Sequence, residues 1–217
     1  MKNTLYLGTS VENVDCDDNL IHLPVVKLCP KSPSNAYIKK ALEQLSSFSY
    51  YIFTSKNAVR IFFRLCETQK VDAKKALEGK SLSIGPFTSK SLRNEGVEPI
   101  WEAGSYTQEG MSVFFSANKP ASVRILYPRS SRARPYLATF LRDRGFICTA
   151  LDLYDTKPLI YTNPPSLTQI STVIFTSPST VEGFFSNYKE FPSEITPVFQ
   201  GPITESFFRK KHKFAVD

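Results

Sequence analysis

Short apolar runs alternate along this chain with longer segments in which apolar residues recur at helical spacing. This pattern is typical of β-strands alternating with amphipathic helices. One strand–helix pair occurs twice, over residues 51–63 and 173–185. Seven of the thirteen aligned positions are identical, whereas average residue usage predicts roughly one identity by chance. We therefore expect an internal repeat.

Each copy of the repeat joins its strand to its helix through a hydroxyl residue. Ser177 stands where a helix N-cap is expected, and Pro178 suits the first helical position. Ser55 has the same place in the earlier copy. In open α/β sheets such turns lie at the edge where ligands bind, which makes both turns candidate sites.

The repeat extends beyond these segments, because Phe-Thr-Ser is followed by Gly-Pro-x-Thr in both halves of the chain. The second motif begins at Gly85 and at Gly201, which lie 32 residues after Phe53 (85 − 53) and 26 residues after Phe175 (201 − 175). Alternating strands and helices favour parallel sheets with right-handed crossovers.

Other segments give weaker predictions. Residues 11–19 are acidic and predict a loop, and Ser34 is expected to cap a helix that runs to about residue 45. Short strands are expected over residues 97–101 and 214–216, and residues 128–134 are expected to form a loop.

Pro-rich breaks near residues 30 and 160 divide the two copies. We expect an α/β fold with two domains, in which residues 31–153 are inserted into a discontinuous domain of residues 1–28 and 158–217. Linkers are expected near residues 24–31 and 153–159, and the two chain crossings would form a hinge.

The composition favours a folded protein with an anionic partner. Apolar residues make up 41% of the 217 residues, and 27 Lys and Arg against 20 Asp and Glu give a net charge of +7. This excess suits nucleic acid, phosphate or a polycarboxylate, and a merely solvated basic surface is an equally good interpretation. The aromatic residues lie mostly at core spacing, which argues against a nucleic-acid binder.

Several classes of site lack support in the sequence. The four cysteines form no C-x-x-C pair and are expected to be reduced, and the two histidines have no metal-ligand spacing to them. Neither G-x-G-x-x-G nor Walker A is present, and no apolar run resembles a signal peptide or a membrane span. We expect a cytoplasmic protein without a metal or a nucleotide cofactor.

Four hydroxyl residues share one context, just after a strand or in the first turn of the next helix: Ser55, Thr88, Ser177 and Thr204. Plain helix capping explains any one of them. Their occurrence in both halves makes a ligand site an equally good interpretation, since helix N-termini suit anions. Gly85 and Gly201 either let backbone amides approach a ligand or simply permit a turn.

Two further features are candidates for chemistry. The densest positive cluster comprises Arg124, Arg129, Arg132 and Arg134. Arg suits bidentate contact with carboxylates, although a solvated face explains each one equally well. Tyr154 ends a predicted strand beside the expected hinge, where a phenol could donate a proton to a leaving hydroxyl, although most tyrosines only pack.

Together these residues resemble the uroporphyrinogen-III synthase family of tetrapyrrole biosynthesis. The resemblance covers most of residues 50–207, and no single motif in it is specific. The motifs that carry it are residues 53–59, 85–88, 126–129 with Arg134 and Leu137, Gly145 with residues 154–158, 175–177 and 201–204.

The resemblance implies two flavodoxin-like parallel-sheet domains joined by a two-stranded linker, with the active site in the cleft between them. It implies closure of the linear tetrapyrrole hydroxymethylbilane to uroporphyrinogen III, with inversion of the terminal ring through a spirocyclic intermediate and loss of water. It implies no cofactor, and Tyr154 as the acid that assists departure of the hydroxyl. The substrate-binding residues that it suggests are Ser55, Lys56, Gly85, Thr88, Arg129, Arg134, Ser177, Gly201 and Thr204.

Two features depart from the family pattern: Gly8-Thr9-Ser10 stands where the family commonly has Thr-Arg-Pro, and the chain ends soon after Val216. The expected partner is a tetrapyrrole polycarboxylate, bound by a monomer without nucleic acid or membrane. The main alternative is a non-enzymatic two-domain binding protein for an anionic small molecule.

Overall fold

The structure is a computed structural model that describes residues 3–11, 19–116 and 122–213. It confirms the α/β class, because strands and helices alternate along the chain. The strands are β1 (Asn3–Tyr6), β2 (Leu20–His22), β3 (Val26–Pro30), β4 (Tyr50–Phe53), β5 (Ser81–Ser83), β6 (Trp101–Glu102), β7 (Arg124–Ser130), β8 (Ile147–Pro158), β9 (Ile170–Phe175) and β10 (Thr196–Phe199). The helices are α1 (Ala36–Glu43), α2 (Lys56–Thr68), α3 (Ala73–Leu77), α4 (Pro86–Asn94), α5 (Gln108–Ser116), α6 (Tyr136–Asp143), α7 (Pro178–Phe185) and α8 (Pro202–Lys213), with a 3₁₀ turn over Leu45–Ser47.

The chain forms two compact units. Unit 1 comprises Met1–Cys29 and Thr156–Asp217, and unit 2 comprises Pro30–Asp155. Strands β3 and β8 are neighbours in one sheet and carry the two points where the chain passes between the units. The two crossings thus form a two-stranded linker.

Unit 1 contains a four-stranded sheet in the order β10-β9-β1-β2, and all three strand pairs are parallel. Counted within the unit, this order is 2-1-3-4, which is flavodoxin-like. The strand order reverses between β1 and β9. Ligands of such sheets bind outside the carboxyl ends of the strands at this switch point.

Unit 2 contributes most of a six-stranded sheet in the order β3-β8-β7-β4-β5-β6. The pairs from β8 through β6 are all parallel. Counted from β4, the order of these five strands is 3-2-1-4-5, a doubly wound arrangement whose switch point lies between β4 and β7. The carboxyl ends of β4, β5, β7 and β8 therefore meet at one edge of this sheet.

The repeat is preserved in the two cores. Phe53 packs edge-on against Phe62 at 5.5 Å between ring centroids, and Phe175 packs against Phe184 at 5.6 Å, both with an interplanar angle of 72°. Both pairs are buried, as are the matching valines of the repeat. Most of the sequence identity between the copies therefore reflects core packing, and Thr and Ser are the exceptions.

The helix starts are largely as the sequence predicts. Ser55 caps α2, because its Oγ accepts a hydrogen bond of 3.1 Å from the backbone N–H of Asn57. Ser177 is the N-cap of α7 and Pro178 is its first residue. The predicted cap at Ser34 is wrong by one residue: Asn35 Oδ1 accepts from two backbone N–H groups, at 3.0 and 3.3 Å.

Two local predictions fail for identifiable reasons. The strand expected over 97–101 is reduced to β6, because the N–H of Val97 bonds to Leu92 O and closes the end of α4, where Gly96 has φ +80°. Strand β7 continues through Pro128, where a loop was expected. Strand β4 pairs with β7 only as far as Leu126. Pro128, which has no N–H to donate, therefore lies where β7 pairs with β8 alone, and such a position accommodates a proline. Helix α3, which has only five residues, was not predicted from the sequence.

The predicted loop over residues 11–19 and the predicted strand over 214–216 fall largely or wholly outside the described residues.

Candidate functional site

The two turns of the repeat occupy equivalent places at the carboxyl edges of their sheets. In unit 2, the N–H of Ile84 bonds to Phe53 O at 3.0 Å, and in unit 1 the N–H of Gln200 bonds to Phe175 O at 2.9 Å. These bonds place each Gly-Pro-x-Thr turn beside its Phe-Thr-Ser turn. The two motifs that follow each other along the chain are therefore neighbours in space within each unit.

Tyr154 and Ser55 come together at the edge of unit 2. The phenol oxygen lies 3.4 Å from Ser55 Oγ, and the tyrosine is only 4% exposed. Burial raises the pKa of Tyr154, and the hydrogen bond to Ser55 acts in the opposite direction. Ser55 Oγ accepts from Asn57 and also has one O–H, so it can donate to Tyr154 as well as accept from it. When Ser55 donates, the phenol keeps its own proton for another acceptor.

Lys56 is the first residue of α2 and is partly buried. Burial lowers the pKa of its ammonium group. A cation at a helix N-terminus is electrostatically unfavourable for the fold, since the helix dipole prefers a negative charge there. The equivalent residue in unit 1 is Pro178, so unit 2 has the more positive of the two turns.

Gly85 and Gly201 differ in what surrounds them. A Cβ at Gly85 would lie 2.8 Å from Cδ1 of Tyr106, so the ring of this 61% exposed tyrosine covers the glycine. A Cβ at Gly201 would meet nothing within 4 Å, and its φ of +121° requires glycine. Of the two turns, only that at Gly201 therefore has open space above it.

Thr88 and Thr204 are both buried, with exposed fractions of 4% and 3%. Each is the third residue of its helix, α4 or α8. Their hydroxyls thus lie in the interior rather than at the surface, unlike those of Ser55 and Ser177, which are partly exposed.

Arg129 lies on β7 at the same edge and already has one partner. Its Nε donates a hydrogen bond of 2.8 Å to Asp152 Oδ1 on β8, and the side chain is 16% exposed. Its guanidinium carbon lies 5.7 Å from the centre of the Tyr127 ring. Among the described residues, Nη1 of Arg129 is buried without a hydrogen-bond partner.

Arg134 is engaged by a carboxylate. Its two terminal nitrogens bond to the two oxygens of Glu109 at 2.7 and 2.8 Å. The hydrogen bond to Arg134 lowers the pKa of Glu109 to about 2. A substrate carboxylate would have to compete with Glu109 for this guanidinium.

Unit 1 carries the remaining predicted residue of the repeat, Ser177. Its Oγ lies 2.9 Å from Ser179 Oγ, and its backbone N–H donates to Thr180 Oγ1 at 3.2 Å. Gly8 follows the neighbouring strand β1, and its carbonyl lies 2.7 Å from Nε2 of His22. The edge of unit 1 is thus lined by backbone groups, hydroxyls and one imidazole.

A buried polar network in unit 2 was not predicted from the sequence. The hydroxyl of Tyr127 lies 3.1 Å from Thr54 Oγ1 and accepts from Gln108 Nε2 at 3.2 Å. The other amide atom, Gln108 Oε1, accepts from the backbone N–H of Leu137 at 3.0 Å. One sequence feature could have pointed to this network, namely that Thr54 and Thr176 are identical in the two copies of the repeat. No feature of the sequence pointed to Gln108.

Within residues 3–11, 19–116 and 122–213, no group of His, Cys, Asp and Glu has the geometry of a metal site. Cys29, Cys66 and Cys148 are free thiols, and burial raises the pKa of Cys66 to about 12 and that of Cys148 to about 11. Cys16 lies outside the described residues. No helix in the described part of the chain is long and apolar enough to span a bilayer.

Solved structures with a similar fold come from two bacteria. A mutant uroporphyrinogen III synthase of the extreme thermophile Thermus thermophilus matches with a TM-score of 0.65 at 14% identity, covering 97% of this chain and 89% of that one. Uroporphyrinogen-III synthetase of Helicobacter pylori matches with a TM-score of 0.61 at 20% identity, covering 97% and 89%. At these identities the likeness supports the fold.

A curated relative is the porphyrin biosynthesis protein HemD of Ruminiclostridium josui, which is 24% identical over 213 residues. The match covers 94% of this chain and 42% of the relative, so the chain spans about two fifths of that protein's length. The model of the uroporphyrinogen-III synthase HemD family matches residues 19–217, which include the repeated turns of both units. This chain belongs to the uroporphyrinogen-III synthase HemD family.

Proposed function

We propose that this chain is a uroporphyrinogen-III synthase, which closes hydroxymethylbilane to uroporphyrinogen III with inversion of the terminal ring and loss of water. The observation that carries the proposal is the family match over residues 19–217, which spans both units. Ring closure breaks the C–O bond of the hydroxymethyl group and forms a C–C bond to the terminal pyrrole, and inversion then breaks one existing C–C bond of that pyrrole and forms another. The hydroxyl and one pyrrole C–H proton leave as water, so the reaction balances without an electron acceptor.

The first chemical problem is departure of hydroxide from the hydroxymethyl carbon. The adjacent pyrrole nitrogen supplies electrons, and a proton on the leaving oxygen completes the step. We assign this proton to Tyr154. Burial raises the pKa of Tyr154, so the phenol is protonated at neutral pH and has a proton to donate to the departing oxygen. Ser55 supports the phenolate oxygen that forms.

The second problem is to hold a flexible substrate so that its ends meet. Its eight carboxylates suit a protein with a net charge of +7. In unit 2 we assign carboxylate contacts to the start of α2 with Lys56 and to the guanidinium of Arg129, whose side chain is 16% exposed. In unit 1 we assign them to the hydroxyl of the partly exposed Ser177 and to the backbone at Gly201, where the space above the glycine is open. Orientation of this kind supplies much of the rate in intramolecular ring closures.

Three predicted residues have weaker support as direct ligands. Thr88 and Thr204 are buried, and Arg134 is paired with Glu109. We propose that Gly85, Thr88 and Thr204 shape the two turns, and that Arg134 stays paired with Glu109. We also propose the domain boundaries expected from the sequence, a monomeric state and a cytoplasmic location. The proposed partner is a small molecule rather than nucleic acid.

Incubation of the purified chain with hydroxymethylbilane tests the proposal. The products are oxidised to porphyrins and the isomers separated, since closure without enzyme gives the non-inverted isomer I. We expect isomer III to form at a rate proportional to protein concentration. Binding of the bilane without formation of isomer III would instead indicate the non-enzymatic binding protein.

A further inference from the structure

Tyr127 lies at the switch point of unit 2, where the strand order reverses between β4 and β7. Its side chain is fully buried, and its hydroxyl is the junction of three elements. One contact is to Thr54 at the end of β4, and another is to Gln108 on α5. Through Gln108 it also connects to the N–H of Leu137 at the start of α6.

Two of the three hydrogen bonds of this network have a definite direction. The N–H of Leu137 donates to the carbonyl oxygen of the Gln108 amide, which fixes the orientation of that amide. Its nitrogen then donates to the oxygen of Tyr127, whose hydroxyl shares the third hydrogen bond with Thr54 Oγ1, 3.1 Å away. Burial raises the pKa of Tyr127 to about 12, so the phenol keeps its proton at neutral pH.

Thr54 immediately precedes Ser55, which caps α2 and lies 3.4 Å from the phenol oxygen of Tyr154. We propose that Tyr127 is a positioning residue: its hydroxyl fixes the Thr54–Ser55 turn and thereby orients the phenol of Tyr154. This inference rests on the proposed function. It assigns Tyr127 no contact with substrate, because its side chain is completely buried.

A double-mutant cycle tests the inference through turnover. Tyr127→Phe keeps the ring and removes the hydroxyl. Because the phenol of Tyr154 is then misplaced, kcat is expected to fall by about 10-fold with KM nearly unchanged. In a Tyr154→Phe background the same change should alter kcat by less than about 2-fold, because the phenol hydroxyl that Tyr127 is proposed to orient is absent. Thr54→Val, which removes the other end of the bond, should reproduce the loss and serves if Tyr127→Phe does not fold.

Tyr51→Phe is the matched control. Tyr51 is also fully buried on β4, but its hydroxyl donates to Leu45 O, outside the network. The control should keep wild-type turnover. Undiminished turnover in folded Tyr127→Phe, or a full 10-fold loss repeated in the Tyr154→Phe background, overturns the inference.

A measurement independent of activity separates this inference from the proposed function. The N–H of Asn57 bonds to Ser55 Oγ, so its hydrogen exchange reports the geometry of the turn. We expect Tyr127→Phe to accelerate this exchange at least about 10-fold more than Tyr51→Phe at matched stability. Equal exchange in the two variants refutes the positioning role, whereas absence of isomer III from the wild-type protein refutes the proposed function alone.

Discussion

Replacement of Tyr154 by Phe tests the assignment of the proton donor. The change removes one hydroxyl and keeps a ring that is 4% exposed, so packing should be preserved. The lost hydrogen bond, at 3.4 Å from Ser55, is long, and Ser55 retains its bond to Asn57. A typical net hydrogen bond stabilises by about 1 kcal/mol, so the unfolding free energy should fall by no more than that. For a chain of this size we expect Tm to fall by less than about 4 °C.

The effect on turnover should be much larger. General acid assistance contributes about 10²–10⁴-fold, and the electron-rich pyrrole places this reaction at the low end. We therefore expect kcat to fall by about 10²-fold or less. Unconsumed hydroxymethylbilane should then close without enzyme, so the share of isomer I should rise.

The assay is formation of isomer III by folded Tyr154→Phe, with Tyr51→Phe as the control for loss of a buried tyrosine hydroxyl. Circular dichroism and thermal melting establish that both variants are folded. Wild-type turnover in Tyr154→Phe would remove the phenol from the mechanism and leave substrate geometry as the catalyst.

Three further predictions concern stability and binding. Gly183→Ala should destabilise by about 1–3 kcal/mol in urea unfolding, because a Cβ would lie 2.3 Å from Val25 O, whereas Gly104→Ala, with nothing within 4 Å, should be nearly neutral. The pKa of Glu109 is depressed from 4.5 to about 2 by Arg134, so the pair stabilises the fold above about pH 4.5 and loses this effect as the pH falls towards 2. Glu109→Gln should remove that part of the acid dependence, amounting to less than about 1 kcal/mol for this half-exposed pair; an unchanged pH profile would contradict the ion pair. Since the proposed substrate is polyanionic and the chain carries +7, KM should rise between low and high salt, and a constant KM would count against electrostatic binding.

The sequence predicted the repeated strand–turn–helix units well, because burial imposes a regular spacing of apolar residues on the strand and on the helix. Phe53 and Phe175 have the same core role, and Ser55 and Ser177 both cap helices as expected. These features depend on local spacing, which the sequence contains. Strand β6 and the cap at Asn35 were mispredicted, because competing local hydrogen bonds decide such boundaries.

The partners of the site residues were not predictable in the same way. Arg129 meets Asp152 through the register of two parallel strands, and Arg134 meets Glu109 across a loop and a helix. Both contacts join residues more than twenty positions apart, so neither composition nor hydrophobic periodicity can predict them. The link from Tyr127 to Gln108 is of the same kind.

The most direct test of the central claim is a single-turnover experiment with the purified chain in excess over hydroxymethylbilane. Because the protein is in excess, closure on the protein is faster than spontaneous closure. The isomer composition therefore reports the product that is formed on the protein. Our account predicts that nearly all product is uroporphyrinogen III. Product that remains isomer I, at the rate seen without protein, would contradict it.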